Sequence, residues 1–82
     1  MSEEIKIVSI IGVGYLGKQI AERAALKGYI VRLYDTNVKD LEEFSKKLKK
    51  IKETAEDITL HETIEDSVKD ADLVIEAVPE LL

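Results

Sequence analysis

The chain contains no cysteine and no tryptophan, and only one proline, one methionine, one phenylalanine and one histidine in 82 residues. Without cysteine there are no disulfides, no thiolate nucleophile and no thiolate-bound zinc. A lone His61 among scattered carboxylates makes no recognisable metal site, so no metal ligand is assigned. Long apolar runs are also missing. None approaches the roughly 20 residues that cross a bilayer, and Met1-Ser2-Glu3-Glu4 is acidic where a secretory leader would be basic. Membrane partners are not expected, and the chain is read as cytoplasmic. A surplus of basic charge is lacking too: the formal charge of −5 argues against nucleic acid as a partner.

The residues present are 45% hydrophobic and 35% charged, the balance of a globular protein. A chain this short buries only about 60–65% of its unfolded surface, so the core is thin and nearly every apolar side chain must pack. Lys, Glu and Ile are abundant, whereas Asn and Gln occur once each, a bias resembling that of thermophile proteins. No internal repeat, linker or low-complexity segment divides the chain.

The most informative stretch is Ile7-Val8-Ser9-Ile10-Ile11-Gly12-Val13-Gly14-Tyr15-Leu16-Gly17. An apolar, β-branched strand ends at a G-x-G-x-x-G turn, and a helix follows. Gly12 permits the tight turn, Gly14 has no Cβ to hold the backbone away from a pyrophosphate, and Gly17 lets the helix press on the sheet. The helix would aim its unpaired N–H groups and the positive end of its dipole at the phosphates. Other βα units also use turn glycines. The context here, with a strand before, a helix after and Asp35 ending the next strand, is the dinucleotide-binding fingerprint.

Further along, the pattern predicts a helix from about Tyr15 to Lys27, with Leu16, Ile20, Ala24 and also Ala21 and Ala25 inward and Lys18, Glu22, Arg23 and Lys27 turned elsewhere. Gly28 is its αL cap. A second strand, Ile30–Tyr34, leads to Asp35. Asn37 caps a second helix whose stripe is Leu41, Phe44, Leu48, Ile51 and Ala55, with Lys46, Lys47, Lys49, Lys50 and Lys52 on a solvated face. Asp57–Leu60 reads as a short third strand. Thr63 caps a short helix through about Lys69 that buries Ile64 and Val68, and His61 before it is expected to be exposed. Leu73–Val78 is a fourth strand, closed by Pro79. Alternating strands and helices imply right-handed crossovers and a parallel sheet with helices on both faces, in the order 3-2-1-4.

Taken together, Ile10–Gly17, Leu33-Tyr34-Asp35-Thr36-Asn37 and Asp70-Ala71-Asp72-Leu73-Val74-Ile75-Glu76-Ala77-Val78-Pro79-Glu80 resemble the amino-terminal NAD-binding part of the 3-hydroxyacyl-CoA dehydrogenases. The first block is shared by many dehydrogenases, and the last is far more particular to this family. The resemblance runs over essentially all of residues 1–82, which it makes a partial NAD-binding Rossmann domain truncated after the fourth strand. Two departures stand out. Relatives carry a longer helical excursion between the second and third strands, and Leu16 stands where the family often has Met.

The resemblance implies NAD as cofactor. Gly12, Gly14 and Gly17 would form the pyrophosphate turn, with Tyr15 and Leu16 lending backbone N–H groups. Asp35 would bind the adenosine ribose, although a carboxylate there can also simply cap the next turn. Ala77, Val78 and Glu80 would face the cofactor from across the crevice. Glu76 is as well explained by polar neighbours. The family's catalytic His–Glu pair lies beyond residue 82, and His61 is not in its motif context, so no catalytic residue is assigned. The function expected is the cofactor-binding portion of an enzyme of fatty-acid metabolism, completed by a missing C-terminal catalytic portion or a second copy of the chain as a homo-oligomer. The competing readings are a non-catalytic module for nucleotide sensing or oligomerisation, and the cofactor domain of an enzyme acting on hydroxy acids without CoA.

Overall fold

The computed structural model describes residues 5–51 and 57–77. In chain order these form β1 (Ile7–Ile11), α1 (Tyr15–Leu26), β2 (Ile30–Tyr34), α2 (Val38–Ile51), β3 (Ile58–Leu60), α3 (Ile64–Val68) and β4 (Leu73–Glu76). The four strands make one sheet in the order β3-β2-β1-β4, and every pairing is parallel. That is the expected topology. Val8, Val31, Ile58 and Leu73 lie in one row across the sheet, and Ile11, Tyr34 and Glu76 end its carboxyl edge.

Right-handed crossovers put α1 and α2 on one face and α3 on the other. The first face holds the apolar core, in which Val8, Ile10, Val31, Leu33 and Ile58 from the strands meet Ala21, Ala24, Ala25, Leu41 and Leu48 from the helices. The second face is thinner. There α3 packs on β1 and β2, and the fully buried groups are the small hydroxyls of Ser9 and Ser67, the latter donating to the Ile64 carbonyl at 2.8 Å. Small residues suit a five-residue helix that must come close to the sheet to bury anything.

Several expected inward positions shift. In α1 the buried ridge is Gly17, Ala21, Ala24 and Ala25, whereas Leu16 is 58% exposed and Ile20 half-buried, because the helix approaches the sheet too closely to lodge a leucine under its first turn. In α2 the ridge is Leu41, Ser45 and Leu48; Phe44 is half-buried and Ile51 is exposed at the helix end. Ala55 and Lys52 lie outside the described residues. In α3, Ile64 is exposed and Val68 half-buried, and Ser67 takes the inward place. The fourth strand ends at Glu76, and the Val78 expected to close it also lies outside the described residues.

The predicted terminators act as expected. Gly28 has φ +91° and donates its N–H to Ala25 at 3.0 Å, and Tyr29 donates to Ala24 at 3.1 Å, closing α1. The Asn37 side chain accepts from the Asp40 N–H at 3.1 Å and Thr63 from the Asp66 N–H at 3.0 Å, capping α2 and α3. At the far end of the sheet, Asp72 does more than bound β4. Its Oδ2 accepts from the Lys6 and Ile7 N–H groups, each at 2.9 Å, and these bonds hold its carboxyl below the usual carboxylate range. No described helix is long and apolar enough to cross a membrane.

Candidate functional site: a nucleotide crevice at the carboxyl edge

β1 and β4 lie side by side although the chain visits β2 and β3 between them, and such a reversal of strand order makes a ligand crevice outside the carboxyl ends of the strands. The glycine turn forms its floor. Gly12 takes φ +87°, a conformation open to glycine and strained for side chains, and donates its N–H to Tyr34 at 2.9 Å. Ala77 donates to the Ile11 carbonyl at 2.8 Å from the opposite side. The turn is thus held by both neighbouring strands.

The second and third glycines have different surroundings. A Cβ added to Gly14 would meet no atom within 4 Å, so the backbone there faces open space. One added to Gly17 would collide with the Gly12 carbonyl oxygen and lie 3.6 Å from the Ala77 Cβ. Gly17 therefore serves the packing of the turn itself as much as that of helix on sheet. Gly14 is the N-cap of α1, and among the described residues no side chain bonds the N–H groups of the first turn, which also contains no acidic residue. A helix start left this way offers its N–H groups and dipole to an anion. The open backbone at Gly14 together with this uncapped terminus fits a pyrophosphate.

Asp35 stands at the other end of the same cavity, whose volume is about 450 Å³ and whose walls include Gly12, Val13, Gly14, Asn37, Asp40 and Ile64. Its Oδ2 accepts from the Val13 N–H at 2.6 Å, and its Oδ1 from the Asn37 N–H at 2.9 Å and the Thr36 hydroxyl at 3.4 Å. The carboxylate is therefore both a wall of the crevice and a brace between β2 and the glycine turn. Each carboxylate oxygen has more than one acceptor site, so these bonds leave capacity for ribose hydroxyls.

Of the other residues expected here, Tyr15 and Leu16 lie in the exposed first turn of α1 and Ala77 sits beside Gly17, and none of the three lines this cavity. Val78 and Glu80 are outside the described residues. Two neighbours went unforeseen. Lys18 pairs with Asp40 across α1 and α2 at 3.0 Å, for which the only sequence signal was an acidic residue three places after the Asn37 cap. His61 is not the free, exposed side chain expected: its ring is largely buried, with Nδ1 2.5 Å from Asp66 Oδ2 and Nε2 2.8 Å from the Thr59 hydroxyl. That bond pulls the Asp66 carboxyl below its ordinary range and ties β3 to α3. A second cavity, about 550 Å³, opens on the α2 and β3 side of Asp35 beside His61. It is the larger of the two, but the glycine turn is not part of it, so the phosphate-binding geometry belongs to the first.

Comparison with known proteins agrees with this geometry. The family model for the NAD-binding domain of 3-hydroxyacyl-CoA dehydrogenase matches residues 7–82. The chain is 35% identical to a probable 3-hydroxybutyryl-CoA dehydrogenase of Bacillus subtilis (strain 168), with 94% of this chain but 32% of that protein covered, so it spans about a third of the length of that relative. Among solved structures, 3-hydroxybutyryl-CoA dehydrogenase from Escherichia coli K12 superposes with a TM-score of 0.77 at 30% identity over 96% of this chain and 20% of that one. A diketoreductase gives the same TM-score at 34% identity, over 98% of this chain and 34% of that one. A chain with this sheet order, glycine turn and carboxylate at the end of β2, matched along nearly its whole length, belongs to the family of NAD-binding domains of 3-hydroxyacyl-CoA dehydrogenases, and NAD is its cofactor.

Proposed function

We propose that this chain is the cofactor-binding portion of an enzyme that moves a hydride between a 3-hydroxyacyl-CoA thioester and NAD, in fatty-acid metabolism. The observation that carries this reading is the Asp35 carboxylate bonded to Val13 in the glycine turn, which brings the ribose end and the pyrophosphate end of the site into one cavity. When bound, NAD supplies the hydride acceptor. The N–H groups of the first turn of α1 hold the pyrophosphate, Asp35 holds the adenosine ribose, and Ala77, with Val78 and Glu80 beyond it, bounds the far side. Proton transfer at the substrate hydroxyl falls to a catalytic portion outside these 82 residues. Calorimetry of the chain with NAD tests the binding reading: saturable one-to-one binding is expected, and heats no larger than dilution would overturn it. The same chain, assayed with several 3-hydroxyacyl-CoA esters, should show no turnover, since missing general base catalysis alone costs typically ~10²–10⁴-fold.

We further propose that the chain works in the cytoplasm and as an oligomer. Its lack of cysteine suits a reducing compartment. Ile5, Leu73 and Val74 are each 40–45% exposed, and the first two line an apolar groove beside β4, whose only strand partner among the described residues is β1. Such a face and edge recruit another chain, here a second copy or the catalytic portion. The bias toward Lys, Glu and Ile supports a thermophile source.

A further inference from the structure

The nucleotide cavity carries a second carboxylate that the dinucleotide fingerprint does not include. Asp40, in the first turn of α2, lines it, and its oxygens accept from the Lys18 ammonium at 3.1 and 3.0 Å. Lys18 leaves α1 one turn beyond Gly14, where its own N–H bonds the Gly14 carbonyl at 2.9 Å, and its ammonium stands 5.9 Å from the centre of the Phe44 ring. The lysine thus reaches from the helix of the pyrophosphate turn across to α2. It ends at Asp40, which lines the cavity together with Asp35, Thr36 and Asn37, while Lys18 is not part of the lining. The charged residues among the described lining of that cavity are Asp35 and Asp40, both acidic.

This placement bears on which dinucleotide the site accepts. NADP differs from NAD by a phosphate on the 2′ oxygen of the adenosine ribose, the hydroxyl region that Asp35 faces. A phosphate there meets the Asp35 charge directly. It would also meet Lys18, were the ammonium not already engaged. We propose that Asp40 is a specificity-determining residue: itself lining the cavity, it holds Lys18 and so withholds that cation from a 2′-phosphate. This deepens the NAD-binding reading and rests on it. The two side chains are 35% and 41% exposed, so the pair adds little to the stability of the fold. Nor does α2 need the Asp40 carboxylate for its cap, because the Asn37 side chain bonds the backbone N–H of residue 40.

The experiment titrates NAD and NADP into the 82-residue chain and into Asp40→Asn, Asp40→Ser, Lys18→Met and the double variant Asp40→Asn/Lys18→Met, at one fixed low salt, with a thermal melt of each. Either substitution at Asp40 should raise the affinity for NADP relative to NAD about ten- to a hundredfold, the worth of one charge-assisted hydrogen bond. Adding Lys18→Met should abolish that gain, and raising the salt should erode it. Lys18→Met alone, which leaves the Asp40 carboxylate without its cation, should widen the preference for NAD. An unchanged affinity for NADP relative to NAD in folded Asp40 variants, or a gain that survives in the double variant, overturns the proposal while leaving the NAD reading intact. A parent chain that binds no NAD overturns that reading, and this one with it.

Discussion

Gly14 and Gly17 look alike in the fingerprint, yet alanine at the two positions should fail in opposite ways. At Gly17 the new methyl collides with the backbone oxygen of Gly12, which cannot swing aside as a side chain would, and also touches the Ala77 Cβ at 3.6 Å. Overpacking of this kind costs about 1–3 kcal/mol. Alanine in the interior of a helix returns up to about 1 kcal/mol over glycine. A clash with backbone this close belongs at the upper end of the first range, about 3 kcal/mol, so the net loss is about 2–3 kcal/mol, which in a domain of this size lowers Tm by roughly 8–24 °C.

At Gly14 the balance differs. Its φ of −83° and ψ of −155° are extended, and no atom lies within 4 Å of the added carbon. Alanine is the poorer N-cap, by about 0.5–1 kcal/mol, but stiffens the unfolded chain by about 0.4–1 kcal/mol, and the two effects nearly cancel. Stability should stay within about 0.5 kcal/mol of the parent, while the methyl occupies the approach of the pyrophosphate. Charging that crowding at about 1.5–3 kcal/mol predicts a ten- to hundredfold loss of NAD affinity. Melts by circular dichroism and NAD titrations by calorimetry on both variants read the two axes separately. Parent-like NAD binding by folded Gly14→Ala, or parent-like stability of Gly17→Ala, would refute the division of labour.

Asp35→Ala removes a ribose acceptor and strands the Val13 N–H, so it should lose about 1–3 kcal/mol of stability and also about ten- to a hundredfold in NAD affinity; because the stability loss follows from the structure alone, the NAD-to-NADP ratio decides, and an unchanged ratio counts against the ribose role. For Asp72, a carboxyl lowered in the fold favours the native state above its ordinary value near 3.8, and that contribution disappears as pH falls through the lowered value. Asp72→Asn should flatten the acid limb of the stability curve below about pH 4, and a limb identical to the parent's would remove the β1 to β4 clamp from the account. Light scattering at high micromolar concentration should show a dimer or larger species, and a monomer throughout would count against the β4 edge as an interface.

Hydrophobic period and glycine spacing expose local geometry, which is why the four strands, their order, Gly12, Gly28, Asn37 and Asp35 are legible in the sequence. Period says less about how near two elements come. Leu16 and Ile20 have the right spacing to face the sheet, but the Gly17 contact with the Gly12 carbonyl draws α1 so close that alanines fill the interface instead. Polar pairing is harder to read, since it depends on register across elements rather than on neighbours in sequence. Asp72 finds N–H groups 65 and 66 residues away, Lys18 finds Asp40 at a separation of 22, and His61 is engaged by Thr59 on β3 and Asp66 on α3. Asp35 shows what this hides. From the sequence, binding the ribose and capping a turn are rival explanations of one carboxylate, whereas in the fold the residue that braces Val13 also lines the cavity. The bond to Val13 sets the distance between carboxylate and glycine turn, and under the proposed function that distance is what a dinucleotide must match at its ribose and its pyrophosphate at once, so the brace and the proposed ribose contact are compatible roles of one side chain.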